Sequence, residues 1–297
     1  MFDPIFFPVA AIETWWWLPL LLGFLVASLC SLAGLSGAFL LLPLQVSLLG
    51  FTGIGVSATN HLYNTIATTG GVYQLWRQGR MLWPLAVLLI IGTLPGVVLG
   101  VMARIYWMHD LASYKVFVGV VLGLIALNLV FDTIRKTMRR QNVNPVDATC
   151  SISGQKLGWR GLAFTFDNKT YHYNIWGFMC LALSVGMVGG IYGIGGGAII
   201  TPFLLVFYSI PVYAIAAASL LTTFASSVLG VVFFVLIGNM GGEALGPDWL
   251  LGILLGLGGF LGVSLGARLQ RYVNEKWIRL ILVLVLLYTA VNYLIQP

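Results

Sequence analysis

No charged residue occurs between Thr14 and Trp76, or between Thr170 and Gly242. A bilayer core takes about 20 apolar residues as a helix, so each of these windows holds at least two membrane passes. Shorter charge-free windows run from Met81 to Ala103, from Val116 to Phe131, from Trp249 to Ala267, and beyond Arg279. All are continuously apolar, without the alternating two-residue period of a transmembrane β-strand, so they read as helices. Only 8% of residues are charged and 59% are hydrophobic, too little charge to clothe a water-soluble globule. The chain reads as an all-α integral membrane protein whose first partner is the lipid bilayer.

The N-terminal stretch MFDPIFFPVAAIETWWW has no basic region before its apolar run and is expected to stay in the mature protein. Its Trp15, Trp16 and Trp17 suit a membrane–water interface, so residues 1–17 read as an interfacial segment. Cys30, Cys150 and Cys180 have no CxxC spacing and read as packing residues. The net charge of +6 comes mostly from Lys and Arg flanking the apolar windows. No basic patch with interleaved aromatics points to nucleic acid, and no metal or cofactor set is apparent.

The chain is duplicated. A shift of 159 residues lays GLSGAFLLLP (34–43) over GIGGGAIITP (193–202), and pairs Asn60 with Ser219, Asn64 with Thr223 and Thr68 with Ser227. After a small insertion Gly92, Gly96 and Gly100 match Gly258, Gly262 and Gly266, and Lys115 matches Arg279. The divisions are a first transmembrane repeat over 18–134, a polar basic linker over 135–173 and a second repeat over 174–297. In the linker, AFTFDNKTYHY alternates Phe164 and Phe166 around a turn, which fits either a short β-hairpin or a disordered linker.

Each half has a glycine-broken segment followed by three cleaner helices, near 53–76, 82–103 and 112–134, then 211–238, 249–268 and 275–295. Broken segments that cross fully make the repeats parallel; broken segments that dip and return make them inverted. With the linker inside, the parallel arrangement places 9 Lys/Arg inside and 6 outside, and the inverted one 13 and 2. The inverted arrangement is therefore expected, with both termini outside and the linker cytoplasmic. The arms around GLSG are about 24 and 20 Å long, short of the roughly 30 Å core. Pro43 and Pro202 each remove a helical N–H, again consistent with broken helices.

Three functions compete for the glycine-rich breaks. GIGGGA meets the dinucleotide pattern, but no soluble βαβ unit or following acid accompanies it. Close helix packing through small residues is the second reading. The third is a pair of discontinuous helices near the midplane whose N-termini point free N–H groups at an anion. Breaking a helix in lipid exposes backbone groups at several kcal/mol each, so it persists where protein or a wet cavity satisfies them. Beside the breaks run polar stripes at helical spacing: Ser57, Asn60, His61, Asn64, Thr65 and Thr68, then Ser219, Thr222, Thr223, Ser226 and Ser227. They serve either to orient an oxyanion or as hydrogen bonds between helices. His61 is a candidate proton carrier, anion contact or structural histidine. The candidate substrate-binding set is Gly34, Ser36, Gly37, Ser57, Asn60, His61, Asn64, Gly193, Gly195, Gly196, Gly197, Ser219, Thr222 and Thr223.

At GIGGGAIITP with AAASLLTTF, and at GLSGAFLLLP, SATNHLYNT and WRQGRMLW, the chain resembles the sulfite exporter TauE/SafE family over about residues 18–295. The resemblance implies a multi-pass carrier of the bacterial inner membrane that moves sulfite, organosulfonates or related small anions using ion gradients. In this chain Gly-Leu-Ser-Gly stands where the family's first half has a triple glycine, and Asn60-His61 where it has a small hydroxyl pair. The combined expectation is an alternating-access secondary transporter of a small sulfur-containing or carboxylate oxyanion, coupled to a proton or sodium ion. An anion channel on the same scaffold is the alternative, and an intramembrane enzyme is disfavoured because no acid or His cluster lies in the apolar segments. A homo-oligomer is compatible with these residues.

Overall fold

The computed structural model describes residues 4–32, 36–138, 152–158, 161–166, 169–208, 210, 212–241, 245–269 and 275–296. A short hairpin of β1 (Ile5–Phe7) and β2 (Ile12–Thr14) leads into α1 (Trp17–Leu32), α2 (Ala38–Ser47), α3 (Gly55–Arg77), α4 (Trp83–Tyr106) and α5 (Leu111–Met138). Then come β3 (Ile152–Gly158), β4 (Gly161–Phe166) and β5 (Lys169–Asn174), an antiparallel three-stranded meander. The helical order recurs as α6 (Ile175–Tyr192), α7 (Gly196–Phe207), α8 (Val212–Gly241), α9 (Trp249–Leu269) and α10 (Glu275–Ile295). Thus β4 and β5 pair as a hairpin in the linker, its turn falling outside the described residues, and β3 adds a strand that the alternation did not signal.

Six helices, α4, α5, α6, α8, α9 and α10, are long and apolar enough to cross a membrane. With 23 residues, α3 is about 34 Å long, and only its polar stripe lowers its hydropathy. Helix starts are capped locally: Asp110 accepts the Ser113 N–H (2.8 Å) before α5, Asn174 the Trp176 N–H (3.0 Å) at α6, and Asp248 the Leu251 N–H (3.1 Å) at α9. Leucines such as Leu124, Leu257 and Leu284 stand exposed on the outer helix faces, where lipid is their solvent.

The prolines have another role than breaking. Pro43 lies inside α2 as its sixth residue, and α2 continues through it. The missing N–H leaves the Phe39 carbonyl without its helical donor, and the Tyr192 hydroxyl supplies one instead (2.9 Å). Pro202 likewise lies within α7. The breaks fall earlier, between the end of α1 and the start of α2 and at 193–195.

Helix directions follow from which residues meet. Leu20, Phe24 and Ser28 of α1 lie in that order against Gly258, Gly262 and Gly266 of α9, so these helices run parallel. Leu183 and Met187 of α6 meet Gly96 and Gly100 of α4, also parallel. By contrast His61 of α3 meets Gly230 of α8 while Gly71 meets Leu220, an antiparallel pair. Helices that the duplication makes equivalent, α3 and α8, therefore run in opposite directions. The cross-repeat pairs α1 with α9 and α4 with α6 exchange under the same equivalence, and α5 packs on α10. In each half the short helix runs against the long one that follows it, α2 against α3 and α7 against α8.

These directions put the N-terminus of α1, the C-terminus of α10 and the starts of α3, α5 and α9 at one end of the bundle, the terminus face. The β3–β5 linker is at the other. Aromatics mark both ends: Trp15, Trp16, Trp107 and Trp249 are exposed at the terminus face, Tyr73, Trp76, Trp83 and Trp176 at the linker face. Residues 4–14 do not simply lie along an interface. Phe7, Ala10 and Ile12 are buried, and the buried Asp248 carboxylate accepts the Val9 and Ala10 N–H groups (3.1 and 3.2 Å). Cys30 is buried, Cys180 is on the outer surface, and Cys150 lies outside the described residues.

The glycines that match across the halves do the same job twice. A Cβ on Gly96 or Gly100 would fall on α6 backbone, and one on Gly258 or Gly262 on α1 backbone. Such small-residue seams let helices that lack a hydrophobic drive in lipid gain close van der Waals contact. Gly96→Ala or Gly262→Ala should each cost about 1–3 kcal/mol of overpacking, seen as a lowered Tm of the detergent-solubilised protein. Gly123→Ala, in open space on α5, should cost nothing.

Candidate functional site

The second break is built by two left-handed glycines. Gly193 ends α6 with φ 87°, and Gly195 precedes α7 with φ 78° and ψ 145°, conformations an L side chain rarely adopts. The bend wedges between the polar stripes of α3 and α8. From α3, Asn64 Nδ2 donates to the carbonyls of Gly193 (3.2 Å) and Ile194 (2.7 Å). From α8, the Ser226 hydroxyl accepts the Gly196 N–H at 3.0 Å and donates to the Thr223 carbonyl at 3.1 Å. Ser226 thereby caps α7, so one N–H expected to face an anion already has a partner. Gly197 sits against the backbone of Ser219 and Thr223.

The first break is different. Gly34 lies outside the described residues; Gly37 is buried in an ordinary right-handed conformation, φ −65°, against Ala27 and Tyr63. Ser36 Oγ accepts the Ala38 N–H (3.4 Å). Asn60 bridges this region, donating to the Ala38 carbonyl (3.3 Å) and accepting from Gln45 Nε2 (3.5 Å). So α3 serves both breaks, Asn60 the first and Asn64 the second.

The remaining stripe residues divide. Thr222 and Thr223 donate to the Ala218 and Ser219 carbonyls one turn back (2.8 and 3.0 Å), a helix-internal use of the hydroxyl proton. Thr65 and Thr68 do the same on α3. Ser219, Ser227 and His61 are buried and their side-chain polar atoms have no hydrogen-bond partner. The His61 ring packs on Gly230 and against Phe234 (ring centroids 6.2 Å apart), and Gly190 borders it without reaching hydrogen-bond geometry. Gln45 Oε1 and Asn64 Oδ1 are also buried and unpartnered.

Arg104 is the residue that sequence reasoning missed. It borders the charge-free window that ends at Ala103, and it is fully buried at the terminus-face end of α4. Its guanidinium donates to the Met108 carbonyl and to Ser57 Oγ (3.4 Å) and lies 3.7 Å from the centroid of the Tyr114 ring. Ser57 Oγ in turn bonds the Tyr114 hydroxyl and the Ile191 carbonyl, both at 2.9 Å, linking the cation to the end of α6 beside the break. Arg104 Nη2 is buried without a partner. A buried cation costs several kcal/mol unless other groups compensate it.

The family model of the sulfite exporter TauE/SafE family matches residues 19–293. The chain belongs to the sulfite exporter TauE/SafE family. Two curated Bacillus subtilis (strain 168) proteins are similar to this TauE/SafE member. One, "Probable membrane transporter protein YunE", is 24% identical over 90% of this chain and 92% of its own length. The other, "Probable membrane transporter protein YjnA", is 24% identical over 92% and 97%. No solved structure matches. This TauE/SafE chain is thus a multi-pass transporter of a bacterial membrane, and among its described residues no three His, Cys, Asp or Glu come together as a metal site.

Proposed function

We propose that the chain is a secondary carrier of a small oxyanion, sulfite, an organosulfonate or another sulfur-containing or carboxylate anion, working by alternating access between two inverted repeats. The anion sits where the second break meets α3 and α8. The observation that carries this reading is the set of buried, unpartnered donors around Gly193–Gly197, Ser219 Oγ, Ser227 Oγ and the His61 ring, with the buried Arg104 at its edge. In a lipid-embedded bundle such groups cost about 1–3 kcal/mol each, a cost that a bound anion or water relieves. The opposite directions of α3 and α8, and the exchange of their packing partners, support the inverted relation. Two such halves rocking about one site is the mechanics of repeat-built carriers.

The test is flux in proteoliposomes of the purified protein with sulfite, thiosulfate, sulfate, a sulfonate and a carboxylate, under pH and voltage gradients. Saturable uptake of one or more is expected; no uptake of any removes the carrier reading, and conductance far above carrier turnover replaces it with a channel. His61 is the proposed proton carrier, since no carboxylate lies in the middle of the apolar windows. His61→Gln should abolish acceleration by a pH gradient while uptake down the anion's own gradient persists. The neutral acceptors Gln45 Oε1 and Asn64 Oδ1 suit a coupling sodium ion; uptake that rises with sodium and ignores pH transfers the coupling role to them.

A further inference from the structure

A cavity of about 280 Å³ opens at the terminus face between the end of α2, the start of α5 and the end of α10. Its polar lining is Ser47, Thr52, Lys115, Asn292, Tyr293 and Gln296: one cation, several neutral hydrogen-bonding groups and no carboxylate. These lie at helix ends or just beyond them, so the cavity faces the aqueous boundary of the bundle. Helix dipoles do not make it anion-attracting, because the negative ends of α2 and α10 border it together with the positive start of α5, at Leu111. Asp110, one residue before Leu111, is an exposed competing charge, but its carboxylate is turned to capping Ser113. The Lys115 ammonium is the one charged side chain of the lining, 6.0 Å from the Tyr293 ring centroid and half-buried.

The placement of Lys115 is unusual for this chain. Among the described residues, the Lys and Arg other than Arg104 and Lys115 fall in the linker or at helix ends on the linker face. Arg104 is buried, so among the described residues Lys115 is the accessible Lys or Arg of the terminus face. The lining also bonds to buried residues behind it. The Tyr293 hydroxyl bonds Ser47 Oγ (2.8 Å) and the Pro43 carbonyl (3.3 Å) of α2, and Tyr114, next to Lys115 on α5, carries the Arg104 guanidinium on its ring. Behind one accessible cation thus stands a buried one that reaches Ser57 of the candidate site.

We propose that this cavity is the vestibule in which the chain captures its anion on the terminus face, with Lys115 as the capturing charge and Arg104 as the next cation inward. The transport role rests on the carrier reading above; the anion preference of the cavity does not. Two measurements separate them. First, Asn292→Cys places a thiol in the lining, and its modification rates by an anionic and a cationic methanethiosulfonate reagent are compared in the full chain. The anionic reagent should react about tenfold faster at low salt, the ratio should collapse in Asn292→Cys with Lys115→Gln, and Lys115→Arg should keep it. Equal rates with Lys115 present, or a ratio unchanged by Lys115→Gln, overturn the vestibule. Second, in proteoliposomes Lys115→Gln should raise the half-saturating sulfite concentration several-fold and flatten its dependence on ionic strength, with the maximal rate retained. Unchanged half-saturation and salt slope count against capture by Lys115, whereas an anion-selective thiol without uptake in the wild type sinks the carrier reading and leaves the vestibule standing.

Discussion

Gly195→Ala should abolish transport and strongly destabilise the protein, whereas Gly37→Ala at the matching break should leave both measurable. At φ 78° and ψ 145° Gly195 occupies a region essentially restricted to glycine, where other residues cost of order 1–3 kcal/mol. The added Cβ would also stand 2.7 Å from Ser227 Oγ and 3.0 Å from Ser226 Oγ and the Thr223 carbonyl. Relief requires α7 to move off α8, which breaks the Ser226 cap on Gly196 and pulls Gly193 and Ile194 from Asn64. Strain and lost bonds together come to about 3–5 kcal/mol, a large part of what a membrane bundle has to lose. Gly37 has right-handed φ, and its nearest obstacle is the far end of the Tyr63 side chain. Tm in detergent and initial uptake rate check both variants. Equal losses at the two breaks would contradict the assignment of the site to the second.

Arg104→Met should lower uptake about 100-fold and leave Tm within a few degrees of wild type. Replacing a buried charge by an apolar side chain of similar length removes its desolvation cost, so stability need not suffer. What is lost is the positive charge beside Ser57 and a donor, Nη2, that has no partner within the protein. A hydrogen bond from a charged donor is worth roughly 1.5–3 kcal/mol, and about 2.8 kcal/mol corresponds to 100-fold. Arg104→Lys should recover little, because one ammonium cannot reach Ser57 and Met108 and also stack on Tyr114. A fall in Tm with normal uptake by the surviving protein would make Arg104 a structural latch instead.

The helices and their duplication were legible because hydrophobic windows, turn positions and glycine spacing are local signals. The segments expected at 53–76, 249–268 and 275–295 appear as 55–77, 249–269 and 275–295. The polar faces of α3 and α8 were legible for the same reason, since helical spacing puts their residues in line. Four things were not legible, each because it depends on which helix comes alongside. The matched Gly92–Gly100 and Gly258–Gly266 series had no visible role until α6 and α1 were laid against them. Ser226 was one hydroxyl among five until the α7 N-terminus met it. Arg104 looked like an end-of-helix cation; its burial depends on Tyr114 and Ser57 arriving from α5 and α3. Pro43 was expected near a break, and only the Tyr192 hydroxyl on the Phe39 carbonyl explains how α2 tolerates it.

The most direct test of an alternating-access anion site at the second break is counterflow. Labelled sulfite uptake is measured into proteoliposomes preloaded with unlabelled sulfite, for the wild-type chain and Gly195→Ala at equal incorporation. A carrier returns its site faster when it is occupied, so preloading should accelerate and overshoot wild-type uptake, and Gly195→Ala should show neither. Sulfite uptake that ignores preloading, or counterflow that survives in Gly195→Ala, would contradict the account.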